Sequence, residues 1–569
     1  MTLSIILATY QRRALLEQTF PTVLAQQPAS AFEVVVVVDG STDGTAAYLR
    51  GLAAPLVRVI EQENAGPAAA RNAGAAAASG DILLFLDDDI LCPPTLARLH
   101  LEAHRAAAVP AVISGRVLVS DASPKGVARE IARRETAWGY ARLRDAGRIE
   151  WPTGTLVDAN SSLPRKLFFD AGGFDPSYRR SETNEFGFRL HKAGVPFVDL
   201  PQAAAWQIFA KTPREMCADT EWHARAEIRL SRAFPEYRPH CALAGMGDGP
   251  AWKRPARRLL AGLPKRLLSL VPVAKKRADS ITLQAMYLRR SAALWRSAAG
   301  ESGNWKSLEA EFGKRLPVLL YHHVGPLAAG SHMGMSIPAA MFERQMRCLT
   351  RHGYTTISTG QWTDWVRNNS RLPQKPVLLT FDDALADLTK YAFPVLKELD
   401  LKAVCFAVTN KLGGRNDWSG VQTGHERLMT REEVKEWSEA GIEFGAHTRT
   451  HPDLRTLTLL QLEDEIAGSR ADLEDLLGTM VRSFAYTYGD YNAEAVACAR
   501  RHFDCSFTCE EGVNTLTTDL HLLRRTMMSP FDWTLDFRLR LRYGCSPIIR
   551  LRSDLALRTR LRRMMGGGS

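Results

Sequence analysis

The sequence has no long apolar run. No window approaches the roughly 18 apolar residues that a bilayer-spanning helix needs, so a membrane-embedded chain is not expected. The first residues, Met1–Ala8, carry no basic start, and their apolar run ends at Thr9. A secretory leader combines a charged start, an apolar stretch of about 7–15 residues and a small-residue cleavage site. This opening therefore reads as a buried first strand. Cysteine is sparse and unpatterned, nine residues without framework spacing. Cys505 and Cys509 are the closest pair; Cys498 and His502 lie just upstream, and the spacing matches no common zinc pattern. Reduced thiols in a cytoplasmic protein are expected. No internal repeat at solenoid periods occurs.

What is present is ordinary globular composition, 45% apolar and 24% charged, which sets aside disorder, collagen-like repeats and a coiled-coil rod. A length of 569 residues implies about three or four domains. The net charge of +11 is concentrated. Residues 251–296 hold 12 basic side chains and a single acid, Asp279, and the remainder of the chain is neutral. A second basic cluster, Arg538–Arg563, holds 9 basic residues and one acid. Such an excess suits an anionic partner.

Two regions alternate strands with helices. The first runs from Met1 to about Pro235, with apolar runs at Leu3–Ala8, Phe32–Val38, Leu56–Ile60 and Asp81–Leu86. That order predicts a parallel α/β sheet. The second runs from about Leu316 to Tyr543, with strand candidates at Val318–Tyr321, Val377–Phe381, Ala403–Val408, Phe444–His447 and Ser483–Tyr486. Helix-like segments at Met341–His352, Leu385–Leu399 and Leu459–Leu477 fall between them, which predicts an α/β barrel or open sheet.

In the first region, Phe32–Val38 ends in Asp39-Gly40-Ser41-Thr42-Asp43-Gly44, and Ile82–Leu86 ends in Asp87-Asp88-Asp89. Carboxylates at the C-terminal ends of parallel strands are where open α/β sheets bind ligands. Three adjacent carboxylates repel unless they are solvated or a cation neutralises them, and oxygen-only ligands suit Mg2+ or Mn2+. Arg71, on a helix that follows Asn64-Ala65-Gly66, is in position for a phosphate. Alone, Asp39 would be a turn cap and the triplet a solvated loop.

In this order, with Ala171-Gly172-Gly173-Phe174-Asp175 and Glu185-Phe186-Gly187-Phe188-Arg189-Leu190, the region resembles the family 2 glycosyltransferases of the GT-A fold over about its first 210 residues. The resemblance implies that Asp39 holds the nucleotide base. It also implies that Asp87 and Asp89 form the DxD element for ribose and metal-bound diphosphate. The family usually supplies the catalytic base from a Glu-Asp pair before the Arg-Leu helix. Here Glu182-Thr183 stands in that place, leaving Glu182 and Glu185 as the available carboxylates.

In the second region, Val377–Phe381 ends in Asp382-Asp383, and His447-Thr448-Arg449-Thr450-His451 follows some sixty residues on. Histidines four apart fall on one face of a helical turn and can reach one metal. One Asp and two His leave coordination positions open, as catalytic sites do, and the second Asp is free to act as base. With Pro317–His323 and Phe484-Ala485-Tyr486-Thr487-Tyr488-Gly489, this region resembles the polysaccharide deacetylases, the NodB-homology family with a distorted (β/α) barrel. The resemblance covers about Leu316–Met528. It implies Asp382 as general base, and Asp383, His447 and His451 as ligands of Zn2+ or another transition metal. It further implies the Tyr488 amide facing the oxyanion and Arg525 orienting the catalytic Asp. Ala384 and Thr487 stand where the family usually has Gly and Pro. The late histidine that serves many members as acid has no clear counterpart; His521 lies nearby, and His322 and His323 read as structural residues of the barrel end.

The expected organisation is a transferase domain at 1–240, a basic amphipathic linker at 241–312, a deacetylase domain at 313–548 and a flexible tail at 549–569. The linker suits either an interfacial helix on anionic lipid at the inner membrane face or a connector packed between domains. No nucleic-acid module accompanies its charge. The expected protein is a bifunctional glycan-assembly enzyme. It would use a nucleotide-sugar donor and remove N-acetyl groups from a GlcNAc-type saccharide. The alternative is an active deacetylase whose transferase-like domain only binds donor or glycan.

Overall fold

The computed structural model describes residues 1–27, 32–146, 159–249, 253–263, 280–326, 336–418, 426–530 and 534–545. The tail read at 549–569 and the linker core 264–279 lie outside the described residues. The chain divides into two compact units, 1–233 with 257–303, and 234–256 with 304–569.

The first unit is built on strands β1 (Leu3–Thr9), β2 (Phe32–Asp39), β3 (Val57–Gln62), β4 (Ile82–Asp87), β5 (Ile90–Leu91), β6 (Val112–Val119), β7 (Asn160–Pro164) and β8 (Phe197–Gln207). They form one sheet in the order β3-β2-β1-β4-β7-β6-β8-β5. The four apolar runs make its parallel half, β3 to β4. The sheet as a whole is mixed, because β7 runs antiparallel to both β4 and β6. β7 carries the polar residues Asn160, Ser161 and Ser162, so no apolar run announced it. Val34–Val38 of β2 are buried on both faces, as a doubly covered parallel strand requires. Gly74, in the helix Pro67–Ala77, allows that helix to lie close on the sheet: a Cβ there would stand 2.6 Å from Ile6 Cγ2.

Helix Ser280–Glu301 belongs to this unit and packs along helix Pro213–Ala233. Leu283 and Met286 join Val127, Ile131 and Met216 in a small core. Two of its basic residues meet protein carboxylates, Arg290 with Glu135 at 2.6 Å and Arg296 with Glu221 at 4.0 Å. This helix, with three of the stretch's basic residues, is therefore packed on the first unit.

In the second unit, parallel strands run side by side in the order Cys505–Phe507, Ser483–Ala485, Glu443–Ala446, Val404–Ala407, Pro376–Phe381 and Leu316–Tyr321. Segment Leu523–Met528 spans the opening between the two outer strands. Leu523 N–H donates to Ser506 O at 3.0 Å on one side, and Met528 N–H donates to Leu320 O at 3.0 Å on the other. The result is a distorted (β/α) barrel. Helix Leu459–Leu477 has the expected bounds, set by a Thr458–Gln461 capping box and the left-handed Gly478. The helix expected over Leu385–Leu399 is two pieces, Asp387–Tyr391 and Phe393–Glu398. Pro394 has no N–H to continue the ladder. Helix Thr534–Tyr543 buries Phe537 and Leu541, and Arg540 donates to Met527 O at 2.9 Å. The start of the second basic cluster is thus part of the barrel wall. All nine cysteines are free thiols. Among the described residues, no helix is long and apolar enough to cross a membrane.

Two candidate active sites

In the first unit the strand ends collect the predicted acids. Asp39, last in β2, is fully engaged: its carboxylate accepts from Gln62 Nε2 at 2.8 Å and from the N–H groups of Ala65 and Gly66 at 2.9 Å each. It holds the Asn64–Gly66 loop, and Gly40 after it takes φ +76° where a Cβ would stand 2.8 Å from Asn64 N. Arg71 bridges two candidate residues, donating to Asp87 Oδ1 at 2.8 Å and to Glu182 Oε1 at 2.6 Å. Burial opposes the charge on Arg71, but Asp87 and Glu182 outweigh it and hold the guanidinium pKa above its ordinary value. Asn72, one residue on, exchanges two hydrogen bonds with the Phe174 backbone at 2.7 and 3.0 Å. That exchange ties the Arg-Asn helix to the Gly-Gly-Phe-Asp segment.

Asp88 is buried and accepts from Thr9 Oγ1 at 2.8 Å; burial pushes its carboxyl up to about 7 despite Arg12. Asp89 meets Arg12 at 3.2 Å and Gln207 Nε2 at 3.1 Å, and burial and then the Asp87 charge raise its pKa. Gln207 thus lies against Asp89. Of the two base candidates, Glu185 is held by Arg189 (2.9 Å to Oε2), which also donates to the carbonyls of Ala171 and Gly173. Glu182 opens the helix Glu182–Lys192 beside Arg71. His223, unremarked in sequence, bonds Ser181 Oγ at 2.8 Å next to it.

In the second unit, Asp382 and Asp383 follow Pro376–Phe381 directly. Arg525 lies on the segment that closes the barrel. It donates Nε to Thr508 O at 2.8 Å and both terminal nitrogens to Asp382, at 2.6 and 2.8 Å. The Arg525 side chain is 0% exposed and that of Asp382 4%. Burial would raise the Asp382 carboxyl; Arg525, with His447 and His322 behind it, prevails and holds it at about 2. Asp383 lacks such a partner, and burial plus the Asp382 charge push it up to about 7.

The Nε2 atoms of His447 and His451 each stand 3.6 Å from Asp383 Oδ1. The donor atoms of all three lie within 4.8 Å of one another. They converge without hydrogen-bonding one another, a spacing that suits a shared ion. His447 Nδ1 is turned away onto Ala485 O at 2.8 Å, which leaves Nε2 for a ligand. Burial lowers the pKa of both imidazoles, that of His451 to about 2, so both are neutral donors. The donor set therefore fits a transition metal.

The expected helical turn at the histidines is not formed. His447–His451 is a loop after Glu443–Ala446, and both Thr448 and His451 take φ +64°. Thr448 Oγ1 accepts from His451 N–H at 3.0 Å, which folds the loop back and brings the rings together. Left-handed residues cluster here: Asp383 (φ 72°), Ala384 (φ 52°) and Tyr488 (φ 60°) join these two. Backbone strain of this kind collects at functional sites. It also explains a glycine preference at position 384, where Ala pays the Cβ penalty. Tyr488 is 51% exposed; its ring lies 4.6 Å from that of His451, and Trp418 stacks on His451 at 4.5 Å.

One histidine differs from its sequence reading. His322 Nε2 stands 4.0 Å from Asp382 Oδ2, inside the site. His521 is elsewhere, with its ring on Ser506 Oγ at 3.2 Å. His323 pairs with Asp387 at 2.9 Å and with Glu426, at the wall of a cavity of about 470 Å³ that Ser336, Lys390 and Arg427 also line.

Comparison with known proteins matches both regions. Residues 4–170 match the glycosyl transferase family 2 model and residues 369–502 the polysaccharide deacetylase model. A Bacillus subtilis protein assigned by name to the polysaccharide deacetylases, YxkH, is 28% identical over 224 residues, 39% of this chain and 75% of its own. The validoxylamine A glucosyltransferase of Streptomyces hygroscopicus subsp. jinggangensis is 33% identical over 223 residues, 34% of this chain. The match spans about half of that relative, 52%. The poly-beta-1,6-N-acetyl-D-glucosamine N-deacetylase of Staphylococcus epidermidis is 23% identical over 204 residues, 34% of this chain and 68% of its own. The chain therefore carries a region that resembles the family 2 glycosyltransferases, followed by one that resembles the polysaccharide deacetylases.

Proposed function

We propose that the second unit is a metal-dependent de-N-acetylase of an N-acetylated saccharide. The observation that carries this reading is the convergence of Asp383, His447 and His451 beside a buried, ionised Asp382. When bound by these three, a divalent transition ion would polarise the amide carbonyl and acidify a water. Asp382 is the carboxylate free to take that water's proton, because Arg525 keeps it ionised and fixes both of its oxygens. Burial holds the His322 pKa at about 4, so the ring is neutral at rest. From 4.0 Å, it would relay to the departing amine the proton that Asp382 collects. The Tyr488 amide is the donor for the developing oxyanion.

Mass spectrometry of N-acetylated oligosaccharides incubated with the protein tests this reading. Loss of one acetyl mass with release of acetate is expected, abolished by a chelator and restored by Zn2+ or Co2+. Turnover that survives complete metal removal would sink the metal-dependent mechanism.

We further propose that the first unit transfers a sugar from a nucleotide donor. Asp39 would face the base, Asp87 and Arg71 the ribose and diphosphate, and Asp89 a Mg2+ or Mn2+ ion, with Glu182 as the base. Support comes from Arg71, which donates to both Asp87 and Glu182. A second reading, a donor-binding domain without turnover, is favoured by Thr183 in the family's Asp position and by the Arg71 contact that occupies Glu182. Donor turnover separates them. Wild type is expected to release nucleoside diphosphate, and Asp89→Ala to lose that release by at least about tenfold. Donor binding without any turnover in wild type would establish the second reading.

A further inference from the structure

Helices Leu459–Leu477 and Ala493–His502 pack against one another on the outside of the barrel. Glu463 lies near the start of the first. Cys498 and His502 lie four residues apart at the end of the second, on one face. Their side chains meet. Cys498 Sγ lies 3.2 Å from Glu463 Oε2, and His502 Nε2 lies against Glu463 Oε1. The three donor atoms fall within 4.8 Å of one another. We propose that Glu463, Cys498 and His502 form a second metal site, for a divalent transition ion such as Zn2+, which clips the two helices together.

The donor chemistry selects the ion. One thiolate, one imidazole and one carboxylate suit Zn2+ or Co2+ and are poor ligands for Mg2+ or Ca2+. Access is graded across the site. Cys498 is 2% exposed, while the side chains of His502 and Glu463 are 28% and 42% exposed. An ion can enter from the solvent side and keep a water in its fourth position. Arg501 donates to Glu463 Oε2 at 2.7 Å, the oxygen that also faces Cys498, and so orients the carboxylate. The carbonyl end of a helix, where His502 sits, favours a cation. Binding sends the Cys498 thiol proton to solvent. The ion's charge is what stabilises the thiolate. The simpler alternative is a His502–Glu463 ion pair with a hydrogen-bonded thiol, which needs no ion. This proposal shares no residue with the Asp383 group and does not depend on deacetylation.

Cobalt distinguishes the two accounts, because the Asp383, His447 and His451 group contains no sulfur. Metal-free full-length protein titrated with Co2+ in the absence of a nucleotide donor is expected to bind one ion at the Asp383 group and one at this site, and to gain a thiolate-to-cobalt absorption band in the near ultraviolet. Cys498→Ser should lose that band and one equivalent, while His447→Gln should keep the band. His502→Gln alters an accessible ring and should weaken this ion by at least tenfold; it decides the matter if Cys498→Ser does not fold. Cobalt binding without the thiolate band, or a band unchanged in Cys498→Ser and His502→Gln, overturns the proposal.

Discussion

Asp382→Asn is expected to slow acetate release by roughly 10²–10⁴-fold, the usual contribution of a positioned general base. The amide keeps the shape of the carboxylate, and its oxygen can still accept one of the two Arg525 hydrogen bonds; its nitrogen is a donor and loses the other, so the unfolding midpoint is measured beside the rate. Metal content should be unchanged, because Asp383, His447 and His451 are untouched. Wild-type Asp382 has its pKa near 2, held there by Arg525 against burial, and is therefore ionised throughout the working pH range. The rate loss should accordingly be the same at pH 6 and pH 8, to within about twofold. Acetate release measured with bound metal determined in parallel checks this. A variant that retains more than roughly a tenth of the wild-type rate would remove Asp382 from the role.

Arg525→Met should have the largest effect on stability. It leaves the Asp382 carboxylate, 4% exposed, without its bidentate partner. Stranding a buried charge in this way costs roughly 3–5 kcal/mol. For a unit of this size that lowers the unfolding midpoint by roughly 6 °C or more. The pH dependence has a definite sign. The folded-state pKa of Asp382 is depressed, so its contribution is fully present above the ordinary carboxylate value. It is lost as pH falls through about 2. The gap in midpoint between wild type and variant should therefore narrow as pH drops from roughly 4 towards roughly 2. The base also loses the charge that keeps it ionised, so the acidic limb of the rate profile should move to higher pH. Equal midpoints for the two proteins at neutral pH would show that Arg525 does not carry the buried pair.

Much of the fold was legible in the residue pattern. The Val34–Val38 run, the Leu83–Leu86 run and the Val377–Phe381 run are buried strands, and each ends in the acid that marks its site. Those features are short-range: apolar periodicity sets the strand, and the loss of periodicity sets its end. Less was legible where the pattern was polar or broken. β7 had no apolar run, and Pro394 divided a helix that periodicity alone would have continued. The histidine pair was read through helical spacing. The structure brings the same two rings together by two left-handed residues and a Thr448 hydrogen bond.

By itself, the sequence determined the two α/β regions, the order of their motifs and the identity of the acids at the strand ends. Only the tertiary structure decided which side chains meet those acids. Arg525 reaches Asp382 across 143 positions, Arg71 reaches Glu182 across 111, and Gln207 reaches Asp89 across 118. It also placed His322 in the site, His521 outside it and Glu463 against Cys498 and His502. The reason is physical. Strand and helix formation depend on neighbours a few residues away, whereas a buried charge finds its partner through the closure of the whole sheet. That closure runs through Leu523–Met528, a segment whose own pattern says little about where it will lie.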